Sequence, residues 1–244
     1  MLAVAAAGIY VTPEVSLPLV AAGALLFYLF LKRDSSCAGD KMFPTRAFDI
    51  RTPVGSGFIA NLALGTAAMS FTVYGPFLLQ SIHGLSALEA GYVMAAEAVA
   101  WSTTAIVFAG VKEAGERVVM KAGALLILLA VTLLGPIMAE GPIWAIVLLS
   151  IAQGAGFGML WGFLIRRVVA AAPDVERDSA SAAMPTTQQI AFALGAALAG
   201  IVANMVGFAE GGALETMQMV AQWVFISFVP LAAFGAAAAW KVAR

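Results

Sequence analysis

The chain is short of charge, of cysteine and of histidine. Only 11% of its 244 residues are Asp, Glu, Lys or Arg, against about 25% in an ordinary soluble domain. Cys37 is the single cysteine, so an intramolecular disulfide and a cysteine-based metal cluster are excluded. His83 is the single histidine, which excludes a His-rich metal site. A net charge of −1 leaves no basic surface for nucleic acid. No long polar stretch is present to build a soluble domain. What the sequence has instead is apolar side chains, at 62% even with glycine left out. Soluble domains hold about 45–50% with glycine counted in. A globule in water must cover itself with polar groups, so this composition belongs to an integral membrane protein whose first partner is the lipid bilayer. The sequence predicts no cofactor, no metal ion, and no nucleophile–base set that would make it an enzyme.

A bilayer core is about 30 Å thick and needs about 20 apolar residues of helix to cross it. Backbone groups cannot stay unpaired in lipid, so each apolar run is expected to be helical. Seven runs qualify, at roughly 15–31, 57–80, 88–110, 119–138, 142–165, 184–205 and 220–240. They predict an all-α integral membrane protein. Residues 1–12 are apolar but too short to span, and Pro13, Glu14 and Pro18 separate them from the first run. They carry no Lys or Arg, unlike the start of a signal peptide. Two readings stay open for this stretch: the truncated end of a preceding helix, or a short interfacial segment.

Lysine and arginine collect in cytoplasmic loops. Here they fall around four segments: Lys32, Arg33, Lys41, Arg46 and Arg51; Lys112, Arg117 and Lys121; Arg166, Arg167 and Arg177; Lys241 and Arg244. These are all 13 basic residues of the chain. The alternate connections, around His83, Glu140 and Glu210–Glu215, hold none. This alternation supports seven spans. It predicts a multi-pass protein of the plasma (inner) membrane with the N-terminus outside and the C-terminus in the cytoplasm.

Small residues recur every fourth position in two spans: Ser150, Gly154, Gly158 and Gly162, then Ala191, Gly195, Ala199 and Ala203. Residues at i and i+4 share a helix face and let two backbones approach closely. Static packing is the plainer expectation and a sliding interface the functional one. Pro76, Pro136, Pro185 and Pro230 are candidate kink sites.

Charge near the bilayer centre is costly and points to function. Glu97 qualifies: it lies about nine residues, or about 14 Å, into the third span. Its face continues through Trp101, Thr104 and Phe108, and no Lys or Arg within a span is available to pair with it. A carboxyl group that gains and loses a proton as water access changes is a natural site for proton or cation coupling. The bland alternative is a neutral glutamic acid bonded to a neighbouring helix. Asn61, Thr72, Trp101, Thr104, Gln153, Gln188 and Gln189 are the other polar or aromatic candidates for a substrate cavity. For most of them, gluing helix to helix is the commoner role. Trp144, Trp223 and Trp240 lie near span ends, where tryptophan anchors at the interface.

The loops carry a resemblance. Asp40-Lys41-Met42-Phe43-Pro44-Thr45-Arg46-Ala47-Phe48 is similar to the segment preceding the C-terminal domain of major facilitator superfamily transporters, in the fourteen-helix drug:proton antiporter branch. Leu79-Gln80-Ser81-Ile82-His83-Gly84-Leu85-Ser86-Ala87-Leu88-Glu89-Ala90-Gly91 resembles that family's L-Q-x-x-x-G-x-S-x-L-x-A-G loop. Ser179–Gly195 is similar to its S-G-L-x-N-T-x-R-Q-x-G-G-A-L-G stretch, with Thr186, Gln189, Ala193, Leu194 and Gly195 in register. Two departures stand out. Gln188 replaces the motif arginine. Gly110–Arg117 is shorter and less basic than the family's loop after this helix, so no charge cluster for gating is expected at that end.

The resemblance implies a fold of two six-helix halves with substrate bound between them near the midplane. The expected organisation is an apolar segment at 1–14, a linker transmembrane helix and loop at 15–54, and a C-terminal six-helix half at 55–244. The implied activity is alternating-access transport of a small molecule, driven by protons and directed outward. A single half has no opposing wall, so the missing N-terminal half or a second copy is an expected partner. The alternative expectation is a non-transporting membrane subunit or a degenerate half-transporter. A retinal-type photoreceptor, suggested by helix count alone, lacks the lysine it would need midway along the last span.

Overall fold

The computed structural model describes residues 13–36, 41–210 and 213–244. The apolar segment at 1–12, Cys37 and Asp40 lie outside the described residues. Helices are the only regular elements among the described residues: α1 (Pro13–Ser35), α2 (Pro53–His83), α3 (Ala87–Phe108), α4 (Glu113–Glu140), α5 (Ile143–Ala171), α6 (Arg177–Met205), α7 (Leu214–Ile226) and α8 (Val229–Val242), with single 3-10 turns at Asp174–Glu176 and Phe208–Glu210.

Six stretches are long and apolar enough to cross a membrane: α2 to α5, α6 with its preceding turn, and α7 with α8 taken together. α1 precedes them with 23 residues, about 34 Å at 1.5 Å per residue.

Local chemistry sets the helix ends. The Thr52 hydroxyl accepts the Gly55 N–H at 3.0 Å, and Pro53, which has no N–H to satisfy, opens α2. Gly84 closes α2 at φ 68°, in the left-handed region that glycine enters without penalty. Two residues on, Ser86 and Glu89 form a reciprocal capping box that starts α3. Pro76, Pro136 and Pro185 lie within unbroken helices. Only Pro230 coincides with an interruption: it cannot donate to the Ile226 carbonyl, and α7 ends at Ile226.

α2 lies at the centre, packed against α6, α8 and α5, while α5 is sandwiched by α3 and α4. The core between them is filled by Phe58, Leu64, Phe71 and Leu78 of α2, Ile127 and Leu134 of α4, Leu164 of α5 and Phe225 of α7, all fully buried. α3 is the outlier. Only Ala90 and Val93 of its residues are buried, and Tyr92, Val99, Ile106 and Val107 face outward. In hydrocarbon such an apolar exterior carries no penalty, and packing quality decides which helices associate.

The basic connections meet at one end of the bundle. Thr45 N–H donates to Glu176 at 3.0 Å, the Lys241 ammonium donates to the Ile50 carbonyl, and Arg167 donates to the Val242 carbonyl at 3.1 Å. Asp34 at the end of α1 accepts the Met42 and Phe43 N–H groups at 2.8 and 3.0 Å. It thereby fixes a loop whose Phe43 and Phe48 pack on Phe58 and on Phe27 and Phe30 of α1. At the other end His83 bonds to the Met138 carbonyl at 2.8 Å and Gln218 donates to the Ala139 carbonyl at 2.9 Å.

Candidate functional site

The polar residues singled out from the sequence divide between two helix seams and an open face. The α3–α5 seam holds Glu97, halfway along α3. The Gln153 amide of α5 donates to one Glu97 carboxylate oxygen at 2.8 Å. Gln153 is fully buried. Two glycines bring the backbones into register: a methyl group on Gly154 would overlap the Glu97 carbonyl, and one on Gly158 would overlap the Thr104 hydroxyl and the Trp101 carbonyl. Thr104 closes the contact, donating to the Ala100 carbonyl at 2.8 Å and lying 3.2 Å from the Ala155 carbonyl across the seam. Trp101 stacks on Phe157 with ring centroids 5.0 Å apart and planes 15° from parallel. The sequence-predicted face Glu97–Trp101–Thr104 is therefore turned toward α5. Among the described residues Glu97 forms no ion pair with a cation.

The α2–α6 seam is built the same way. Asn61, buried, donates to the Met184 carbonyl at 2.9 Å, and the Thr66 hydroxyl lies 3.2 Å from the Ala191 carbonyl. A methyl on Gly195 would overlap the Thr66 carbonyl. Asn61 thus serves here as helix–helix glue. Thr72 and Gln189 lie on the open surface of the bundle, and Gln188 is half-buried. Gly162 departs from the packing expected of it: it is exposed, and a methyl there would meet nothing within 4 Å.

At the basic end, where no charge cluster for gating is expected, the structure does show an ion-paired cluster. Glu116, in the first turn of α4, receives Arg166 at 2.6 Å and Arg167 at 3.4 Å from the end of α5. The Arg166 guanidinium also lies 4.9 Å over the Phe163 ring. The cluster borders a pocket of about 660 Å³ whose lining includes Pro53, Glu113, Lys241 and Arg244. The short, less basic stretch at 110–117 hid it, because the two arginines that Glu116 binds come from α5.

The family model of the Major Facilitator Superfamily matches residues 57–244. The chain belongs to the major facilitator superfamily. The match begins within α2 and runs through α8, and so covers the six membrane-crossing stretches that follow α1. The chain is similar to probable multidrug-efflux transporters of Mycobacterium tuberculosis, in strain CDC 1551 / Oshkosh and in strain ATCC 25618 / H37Rv. Identity to each is 30% over an alignment of 235 positions that covers 91% of this chain and 46% of the relative. The chain spans about half the length of the curated relatives it matches. Superfamily members pair two six-helix halves, and six crossing stretches are one half's complement. As a major facilitator protein the chain is a multi-pass membrane protein of the transporter class.

Proposed function

We propose that this chain is the C-terminal half of a secondary active transporter that exports a small molecule by alternating access, coupled to protons. Its basic end, with Glu116, Arg166 and Arg167, lies in the cytoplasm of a cell whose plasma membrane it spans. The observation that carries the reading is Glu97: a carboxyl group halfway along a crossing helix, bonded to a glutamine and to no cation. In a superfamily whose substrates bind between halves at mid-membrane, such a group is placed to take up and release a proton as the site opens to either side. Thr72 and Gln189, both exposed on the bundle, are candidates for the surface that the other half, or a second copy, would close over. The relatives' name makes amphipathic drugs the first substrates to try.

A second reading, a membrane subunit without transport of its own, is favoured by Gln188 standing where the family motif carries arginine. Reconstitution separates the two. The chain and a complementary six-helix half are placed in liposomes under an imposed pH gradient, and uptake of the cationic dye ethidium is followed. The proposal expects gradient-dependent uptake by the pair, none by either half alone unless the chain pairs with itself, and loss of uptake in Glu97→Gln. Uptake absent from every combination sinks the transporter reading in favour of the subunit.

A further inference from the structure

The Glu97–Gln153 contact is half of a familiar pairing. A primary amide and a carboxylic acid can bond twice in a closed ring: the amide N–H donates to the acid's carbonyl oxygen, and the acid's O–H donates to the amide oxygen. The first bond is present, from Gln153 Nε2 to Glu97 Oε1 at 2.8 Å. The second acceptor is present too. Gln153 Oε1 is a buried side-chain oxygen without a hydrogen-bond partner, and the sole such atom among the described residues. Buried polar atoms are almost always satisfied, so an orphan calls for an explanation. An ionised Glu97 offers that oxygen only another acceptor; a protonated Glu97 offers a donor from the group already held beside it.

We infer that Glu97 and Gln153 form one proton-binding unit, with the bound proton on Glu97 Oε2 and donated to Gln153 Oε1. On protonation the Glu97 O–H bond forms with a proton delivered through water, and the amide oxygen gains its partner. On release the proton returns to water and the amide oxygen loses it. Gln153 is then the positioning residue that ties the protonation of α3 to its packing on α5. Among the described residues no charged side chain pairs with Glu97. α2, packed on both helices, carries no Asp, Glu, Lys or Arg, and its titratable Tyr74 and His83 are engaged with Phe208 and the Met138 carbonyl. On α3, Glu89 is taken up by the Ser86 capping box. On α5, Arg166 and Arg167 lie about 20 Å along the helix and are held by Glu116.

This inference rests on the proposed role of Glu97, but its test needs no transport. Infrared spectra of the purified chain in lipid nanodiscs are recorded across a pH titration, with the glutamine side-chain carbonyls carbon-13 labelled. The expected result is a protonated-carboxyl stretch that is absent in Glu97→Gln and moves to higher frequency in Gln153→Met. In the unsubstituted protein a labelled glutamine band shifts in step with that stretch, which keeps the test decisive should Gln153→Met fail to fold. The inference is overturned if Glu97→Gln removes no carboxyl stretch, or if no glutamine band follows it. Intact bands with no transport would sink the transporter reading alone; transport without the paired bands would sink this pairing alone.

Discussion

Gly158 and Gly162 are four residues apart on one helix, yet only the first is in a seam. Helix geometry explains the difference. At 3.6 residues per turn, each four-residue step turns about 40°. From Ser150 to Gly162 the stripe therefore swings by about 120°, too far to stay against one neighbour. The spacing made a close contact readable in the sequence, but which members make it depends on where α3 crosses α5. Two substitutions test this. Gly158→Ala must displace the Thr104 hydroxyl or the Trp101 carbonyl, and overpacking of this kind costs about 1–3 kcal/mol. Gly162→Ala meets open space and gains helix propensity, worth up to about 1 kcal/mol in water. Thermal unfolding in detergent should show the first variant clearly destabilised and the second unchanged or improved. Equal losses at both positions would contradict the seam. That Glu97 falls midway along a crossing helix was likewise readable from the sequence. Its bond to Gln153 was not, because it needs the rotation of both helices.

At the scale of elements, apolar runs located every crossing helix but not its ends. α6 begins at Arg177, well before the run expected from residue 184, and α4 begins at Glu113 rather than 119. Hydropathy marks where a helix meets lipid, whereas backbone hydrogen bonding continues into the interface until a cap or a proline stops it. The overshoot builds the charge cluster. α4 and α5 are joined only by Gly141 and Pro142, so they run antiparallel, and Glu116 near the start of one faces Arg166 and Arg167 near the end of the other. That pairing was available from the short connection, although the altered 110–117 loop argued against it. Arg166 is half exposed and Arg167 largely buried. The expected Glu116–Arg166 coupling is therefore within about 1 kcal/mol, and that of Glu116–Arg167 about 0.5–3 kcal/mol. Double-mutant cycles with Glu116→Gln, Arg166→Met and Arg167→Met measure both. A larger coupling to Arg166 would reverse this ranking.

For the molecule as a whole, the sequence showed two ends, one with all the basic residues and one with none. The structure ties the basic connections together through Thr45–Glu176, Lys241–Ile50 and Arg167–Val242. What the sequence could not supply is which polar residues stay exposed: Thr72 and Gln189 do, whereas Asn61 is buried, and that depends on the rotation of α2 and α6. Orientation is open to a direct test. With Cys37 replaced by serine, a cysteine introduced at Asp174 should react with an impermeant maleimide only after the cells are opened, and one at Glu140 should react from outside. The opposite pattern would invert the topology. The central claim, that Glu97 carries the coupled proton, is tested most directly by proton movement itself. The chain and its complementary half are sealed in liposomes containing a pH-sensitive dye, and ethidium is added without an imposed gradient. The account predicts an ethidium-driven pH change in the unsubstituted protein and none in Glu97→Gln, which still binds ethidium. An equal pH change in Glu97→Gln would contradict it.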